Sequence, residues 1–174
     1  NNTAFGYQAY DAVTTADEGT AVGSGALGAT TTGAKNTGVG YAALATNTTG
    51  SDNIAVGVAS LYANTTGAKN IAIGKSAAAA NTTGTRNTTI GWEAYNNSDT
   101  ENDNIAIGYE AMTTDTAGGE YNVAIGNYTM DALTSGDANV AIGHYALGAV
   151  TTGGTNTAVG YEALATMTDA TRNT

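Results

Sequence analysis

Residues 53–69 read Asn-Ile-Ala-Val-Gly-Val-Ala-Ser-Leu-Tyr-Ala-Asn-Thr-Thr-Gly-Ala-Lys, and Asn70 begins the same phrase again. Ten such units fill the 174-residue chain. They start at Asn2, Gly19, Asn36, Asn53, Asn70, Asn87, Asn104, Asn122, Asn139 and Asn156, and an eleventh opens at Asn173. Every step is 17 residues except that from Asn104 to Asn122, which is 18. A short, strict period running through a whole chain means stacked units, each covering the next. The expected architecture is therefore an all-β parallel β-roll or β-solenoid of ten coils, a single repeat domain spanning residues 1–174. The chain opens and closes inside a repeat and reads as a fragment of a longer fibrous protein.

Within a unit, counted from its leading Asn as position 1, the first five residues alternate as a strand does. Position 4 is Phe5, Val22, Val39, Val56, Ile73, Ile90, Ile107, Ile125, Ile142 and Val159, and position 2 is Ile, Val or Thr. Position 3 faces the other way and is nearly always Ala. Position 5 is Gly in all ten units: Gly6, Gly23, Gly40, Gly57, Gly74, Gly91, Gly108, Gly126, Gly143 and Gly160. A positive φ or a close backbone approach at a corner explains it. Position 9 is apolar, from Tyr10 and Leu27 to Leu164, and a second corner follows at Thr-Thr-Gly, as at Thr66-Gly67. The expected path is strand, Gly corner, short strand, Thr-Gly corner, next coil. Gly, Thr and Asn are too frequent for helix. The Ala-rich stretch 75–80 is expected to follow its neighbours.

Coils about 4.8 Å apart would make a rod of about 48 Å. The leading Asn residues would stack as a ladder, as would the Thr residues at position 13. Lys35, Asp52, Lys69, Arg86 and Asp103 could pair up the stack, for ~0–1 kcal/mol each. The branched residues at position 4 and the Leu-like residues at position 9 are expected to form the inner file. Each contributes ~1.5–3 kcal/mol when fully buried, little against the ordering of a whole coil. The Ala file at position 3 (Ala55, Ala72, Ala106, Ala124, Ala141) then admits two readings. It packs copies of the chain around a threefold axis, the reading preferred, or it fills a narrow interior.

Fifteen acidic against five basic residues give a net charge of −10, which repels nucleic acid and anionic membranes. There is no cysteine, so no disulfide framework or thiolate metal site. The longest apolar run, near residues 77–80, is far too short to span a bilayer.

Asn-Ile-Ala-Ile-Gly at residues 70–74 and 104–108, and Asn-Val-Ala-Ile-Gly at 122–126 and 139–143, resemble the head repeats of trimeric autotransporter adhesins. Asn-Thr-Ala-Val-Gly-Tyr-Glu-Ala-Leu at 156–164 resembles repeats of phage and viral tail-fibre proteins. The resemblance covers the whole chain. It implies a trimer of left-handed parallel β-rolls, extracellular on a virion or cell surface and used in attachment. The longer coil, with its added Thr-Thr-Gly corner, departs from the adhesin heads and speaks against matrix-protein binding, while the Asn-Thr-Ala-(Val/Phe)-Gly-Tyr form favours a viral- or phage-type fibre shaft that presents a receptor-binding tip. The partners so implied are two further copies of the chain and a cell-surface glycan or protein receptor.

No catalytic constellation and no cofactor is expected. The single histidine, His144, sits at position 6 with Tyr7, Tyr41, Trp92, Tyr109 and Tyr161, and reads as one more exposed or stacked ring. Tyr41, Trp92, Tyr109 and Tyr161 are the candidate glycan-stacking residues, since their rings offer a flat apolar face and a polar edge. Ring-on-ring stacking is the competing reading. The cluster Asp99, Glu101, Asp103 could hold a cation, but Asp recurs at no fixed position and a solvated loop is expected; no metal is assigned. The Asn-x-Thr/Ser triplets at Asn47, Asn64, Asn81, Asn87, Asn96 and Asn127 read as incidental in so Asn- and Thr-rich a chain. The Thr file raises ice binding as a further alternative, weakened because the paired Thr sit at a corner and do not alternate.

Overall fold

The computed structural model describes residues 1–114 and 118–174, and it is a parallel β-solenoid with no helix among the described residues. Each coil contributes one three-residue strand: β1 (Thr3–Phe5), β2 (Thr20–Val22), β3 (Thr37–Val39), β4 (Ile54–Val56), β5 (Ile71–Ile73), β6 (Thr88–Ile90), β7 (Ile105–Ile107), β8 (Val123–Ile125), β9 (Val140–Ile142) and β10 (Thr157–Val159). They form one sheet in chain order, and equivalent positions pair, as in Ile54↔Ile71, Ala55↔Ala72 and Val56↔Ile73. The 18-residue coil keeps this register, since Ile105 pairs with Val123. Its extra residue is absorbed outside the strand. Thr116 of the Thr file lies outside the described residues.

The strand ends at position 5 for both of the reasons anticipated. All ten glycines there have φ between 131° and 142°. A Cβ on Gly57 would also lie 2.4 Å from the carbonyl oxygen of Gly74 in the next coil.

The short strand expected beyond this corner does not form. Positions 6–11 are turns, because positions 7 and 9 adopt left-handed backbone even where they are not glycine, as at Ala59 (φ 55°) and Leu61 (φ 46°). Alternate N–H groups then point up and down the stack. Leu61 donates to Ala77 in the next coil at 3.0 Å, and Ala59 to Tyr41 in the previous coil at 2.9 Å. Inter-coil hydrogen bonding thus continues without a second ladder. The left-handed conformation costs an L-residue ~1–2 kcal/mol, against ~0.5–1 kcal/mol for the extra freedom of Gly. Gly25 occupies position 7 in the second coil with φ 70°. Ala59→Gly is therefore expected to raise stability by about 0.5 kcal/mol, read as a slightly higher urea midpoint; a lower midpoint would refute the balance.

The strand faces the opposite way from the expectation. Ala55, Ala72, Ala106, Ala124 and Ala141 are 0% exposed within a single chain, so they cannot form a contact between chains. The branched residues of positions 2 and 4 point outward; Ile54 is 39% exposed and Ile73 40%. The cause is the thickness of the coil. Leu at position 9 packs directly beneath position 3: a Cβ on Gly38 would lie 3.2 Å from Leu27 Cγ. Only Ala fits above a Leu there. The interior is built around this Ala file, the Ala file at position 8, and the position-9 residues Leu27, Leu44, Leu61, Tyr95, Met112, Met130 and Leu147, joined at position 12 by Leu133 and Val150. The narrow-interior reading of the Ala file is the one that holds.

From Asn36 to Asn156 the leading Asn residues are buried and stack, bonding to backbone as well as to one another. Asn70 Oδ1 accepts from the backbone N–H of Asn87 at 2.9 Å, while its Nδ2 donates to the Gly84 carbonyl at 2.7 Å. Amide-to-amide bonding joins this file near its upper end, where Asn156 Nδ2 donates to Asn139 Oδ1 at 3.0 Å. Gly19 breaks the file because Tyr10 fills the space; a Cβ there would lie 1.8 Å from the Tyr10 hydroxyl. A second, internal Asn ladder joins Asn47, Asn64 and Asn81 at 2.8 and 2.9 Å. Asn47, Asn64, Asn81 and Asn87 are thus buried, which removes them as glycan acceptors in the folded chain.

Candidate interaction surfaces

With Ala inside, positions 2 and 4 of β1–β10 form an outer sheet face. No residue in these two files is charged, on a chain of net charge −10. The face runs the length of the stack, from Phe5 (76% exposed) to Val159 (67%). Parallel pairing makes it regular, because each coil places its position-2 and position-4 side chains one strand spacing further on. Position 4 keeps the face apolar in every coil, while position 2 places Thr3, Thr20, Thr37, Thr88 and Thr157 among the Ile and Val side chains.

The four candidate glycan residues do not form one site. Tyr41 has Ser24 and Val58 as its neighbours in the position-6 file. Trp92 carries the Lys75 ammonium over its ring, 4.3 Å from the centroid. Tyr109 and Tyr161 belong to a cluster with Tyr128, His144 and Tyr145. His144 stacks on Tyr161 at 5.4 Å, Tyr128 on Tyr145 at 5.1 Å, and Tyr109 meets Tyr128 edge-on at 5.4 Å. Tyr109 and Tyr145 are held to 40% and 38% exposure, while Tyr161 stays 73% exposed. Tyr128 and Tyr145 were not singled out from the sequence; the available signal was an aromatic at position 7, where other coils carry Gly, Ala, Ser, Gln or Glu. A hydrogen bond to the Glu110 carboxylate, more favourable to the neutral phenol, pushes the Tyr109 pKa up to about 12. Glu162 raises that of Tyr161 in the same way.

The acidic cluster is engaged by protein groups. Asp103 forms a two-pronged pair with Arg86, both contacts 2.6 Å, which holds its carboxyl below the usual range. Asp99 accepts from the Thr82 hydroxyl. Glu101 is buried, and its Oε2 accepts from Ser98 Oγ at 2.7 Å and from the N–H groups of Asp99 and Thr100 at 3.0 and 3.1 Å. Its Oε1 accepts from Gly118 N–H at 3.1 Å. Among the described residues no group of three His, Cys, Asp or Glu side chains converges as a metal site would.

The Thr hydroxyls at position 13 are turned into the stack. Thr31, Thr48 and Thr65 each donate to the carbonyl of the Thr one coil on, at 3.0–3.1 Å. This keeps them from presenting a free hydroxyl array. Of the charge pairs expected up the stack, Arg86–Asp103 forms; Lys35 lies instead 4.0 Å from Glu18 of the coil before, and among the described residues Asp52 and Lys69 form no ion pair. Comparison with protein-family models, curated proteins and solved structures finds no match for this chain.

Proposed function

We propose that the chain is a structural rod: the shaft of an attachment fibre or surface adhesin, working outside the cell on a virion or cell surface, with three copies side by side. The observation that carries this reading is the outward sheet face, where position 4 is Phe, Val or Ile in every coil and position 2 is Thr, Ile or Val, with no charge in either file. A second copy presents the same side chains at the same rise per coil, so a contact made at one coil recurs at every coil. Few other partners match such a face along its whole length. A threefold arrangement buries one such face per chain around a common axis. The mechanism is mechanical: parallel pairing and internal Asn ladders stiffen the shaft, and the binding tip is carried clear of the surface.

The test is the solution mass by light scattering. Three chain masses are expected for the native protein. Ile105→Lys, at an outward position 36% exposed, is expected to yield monomers that keep the β-sheet circular dichroism signal. A native protein that runs as a monomer, or an Ile105→Lys variant that stays trimeric, would refute this assembly.

A further inference from the structure

The buried apolar side chains do not form one continuous column. They fall into two clusters, one running from Tyr10 to Ala78 and the other from Tyr95 to Ala158. The break lies between the fifth coil, opened by Asn70, and the sixth, opened by Asn87. Several interior files change character there. At position 9 the run Leu27, Leu44, Leu61 shrinks to Ala78. At position 3, Ala is replaced by Thr89, whose hydroxyl donates to the Ile71 carbonyl at 3.0 Å. At position 12 the internal Asn ladder stops. Asn81 Nδ2 reaches Asn64, but Asn81 Oδ1 is buried without a protein partner, because Ser98 above it gives its hydroxyl to Glu101. Beyond the junction the same file turns apolar with Leu133 and Val150.

Backbone bonds do cross the junction, as from Ala78 N–H to the Ala94 carbonyl at 3.0 Å. Side chains also cross it: at the surface Arg86 to Asp103, Thr82 to Asp99, Thr85 to Asn102 at 2.8 Å and the Lys75 ammonium over the Trp92 ring at 4.3 Å, and inside the Asn70 amide oxygen to the Asn87 N–H at 2.9 Å. In a stacked-repeat protein, cooperativity passes from unit to unit through the interface between neighbours. An interface lacking Leu-on-Leu contact and holding an unpaired buried oxygen carries less of it.

We propose that the rod is jointed at this junction, so that coils one to five and coils six to ten unfold as two cooperative units held together by polar pairs. The carboxylates facing the joint are Glu101, Asp99 and Asp103, with Glu120 next to Asn102, and the facing cations are Arg86 and Lys75.

Hydrogen-exchange mass spectrometry of the native protein across a urea series at neutral pH tests this directly. Peptides from residues 20–75 and from 105–160 are expected to lose protection at midpoints differing by about 0.5 M or more. A shared midpoint for both halves would overturn the proposal. Asp103→Asn, which removes a surface bond across the joint, is expected to lower the midpoint of one half and leave the other in place. An equal fall in both halves would also count against a joint.

Discussion

Replacing Gly108 by valine is expected to cost at least about 4 kcal/mol and to lower the melting temperature by ~10 °C or more. Two independent obstacles add. Gly108 sits at φ 142°, where a β-branched residue is strained. Its Cβ would also stand 2.3 Å from the Gly126 carbonyl oxygen and 2.5 Å from the carbonyl carbon. These are backbone atoms of the next coil, and moving them breaks the β7–β8 pairing. Gly25 serves as the control, since a Cβ there meets nothing within 4 Å. Gly25→Ala, also at positive φ, is expected to cost only about 0.5 kcal/mol. Thermal circular dichroism of the two variants separates the causes; a Gly108→Val melt within a degree or two of the native one would refute the close-approach argument.

Glu101→Ala is the second large effect expected, a loss of about 3 kcal/mol. In regular coils the N–H groups of positions 13–15 converge on one carbonyl of the coil above, as Thr48, Thr49 and Gly50 do on Thr65 at 2.9, 3.1 and 3.4 Å. Beneath the 18-residue coil, the Glu101 carboxylate accepts from Asp99 and Thr100 in that way and from Gly118 of the longer coil as well. Its side chain reconciles a 17-residue coil with one that is a residue longer. Truncation to Ala leaves three N–H groups and the Ser98 hydroxyl to find new partners. Burial pushes the Glu101 carboxyl up, but hydrogen bonds from Ser98, Gly118 and Asp99 outweigh it and hold the pKa below its ordinary 4.5. A folded pKa below the unfolded one means stability that is complete at neutral pH and is lost as pH falls through the range beneath 4.5. Asp103, lowered by Arg86, adds in the same direction. Glu101→Gln should therefore be less stable at pH 7 and show a shallower acid loss in urea titrations. An acid limb as steep as in the native protein would remove Glu101 from this role.

Much of this fold could be read from residue identities. The 17-residue period announced stacked coils, and the glycines at position 5 marked the corner, because only Gly combines positive φ with no Cβ. The Asn and Thr files followed from identical residues meeting one coil apart. His144 as a stacked ring followed from its place in an aromatic file.

Other features did not follow from the one-dimensional pattern. Period-two alternation separates two faces without saying which is inside. The larger side chains were assigned inward, whereas a coil only wide enough for Ala above Leu sends Val and Ile out. Left-handed backbone at Leu61 or Lys69 has no residue signature, since it is the inter-coil bond that holds it. The roles of Glu101 and Gly19 depend on which neighbour sits one coil away: the longer coil above the first, the Tyr10 ring beside the second. Repetition along the chain thus specified the stack and its register, because like residues meet whenever the period is constant. The inward face, the outward sheet face and the break between the two buried apolar clusters were settled only by three-dimensional packing, where the width of the coil decides which side chains fit.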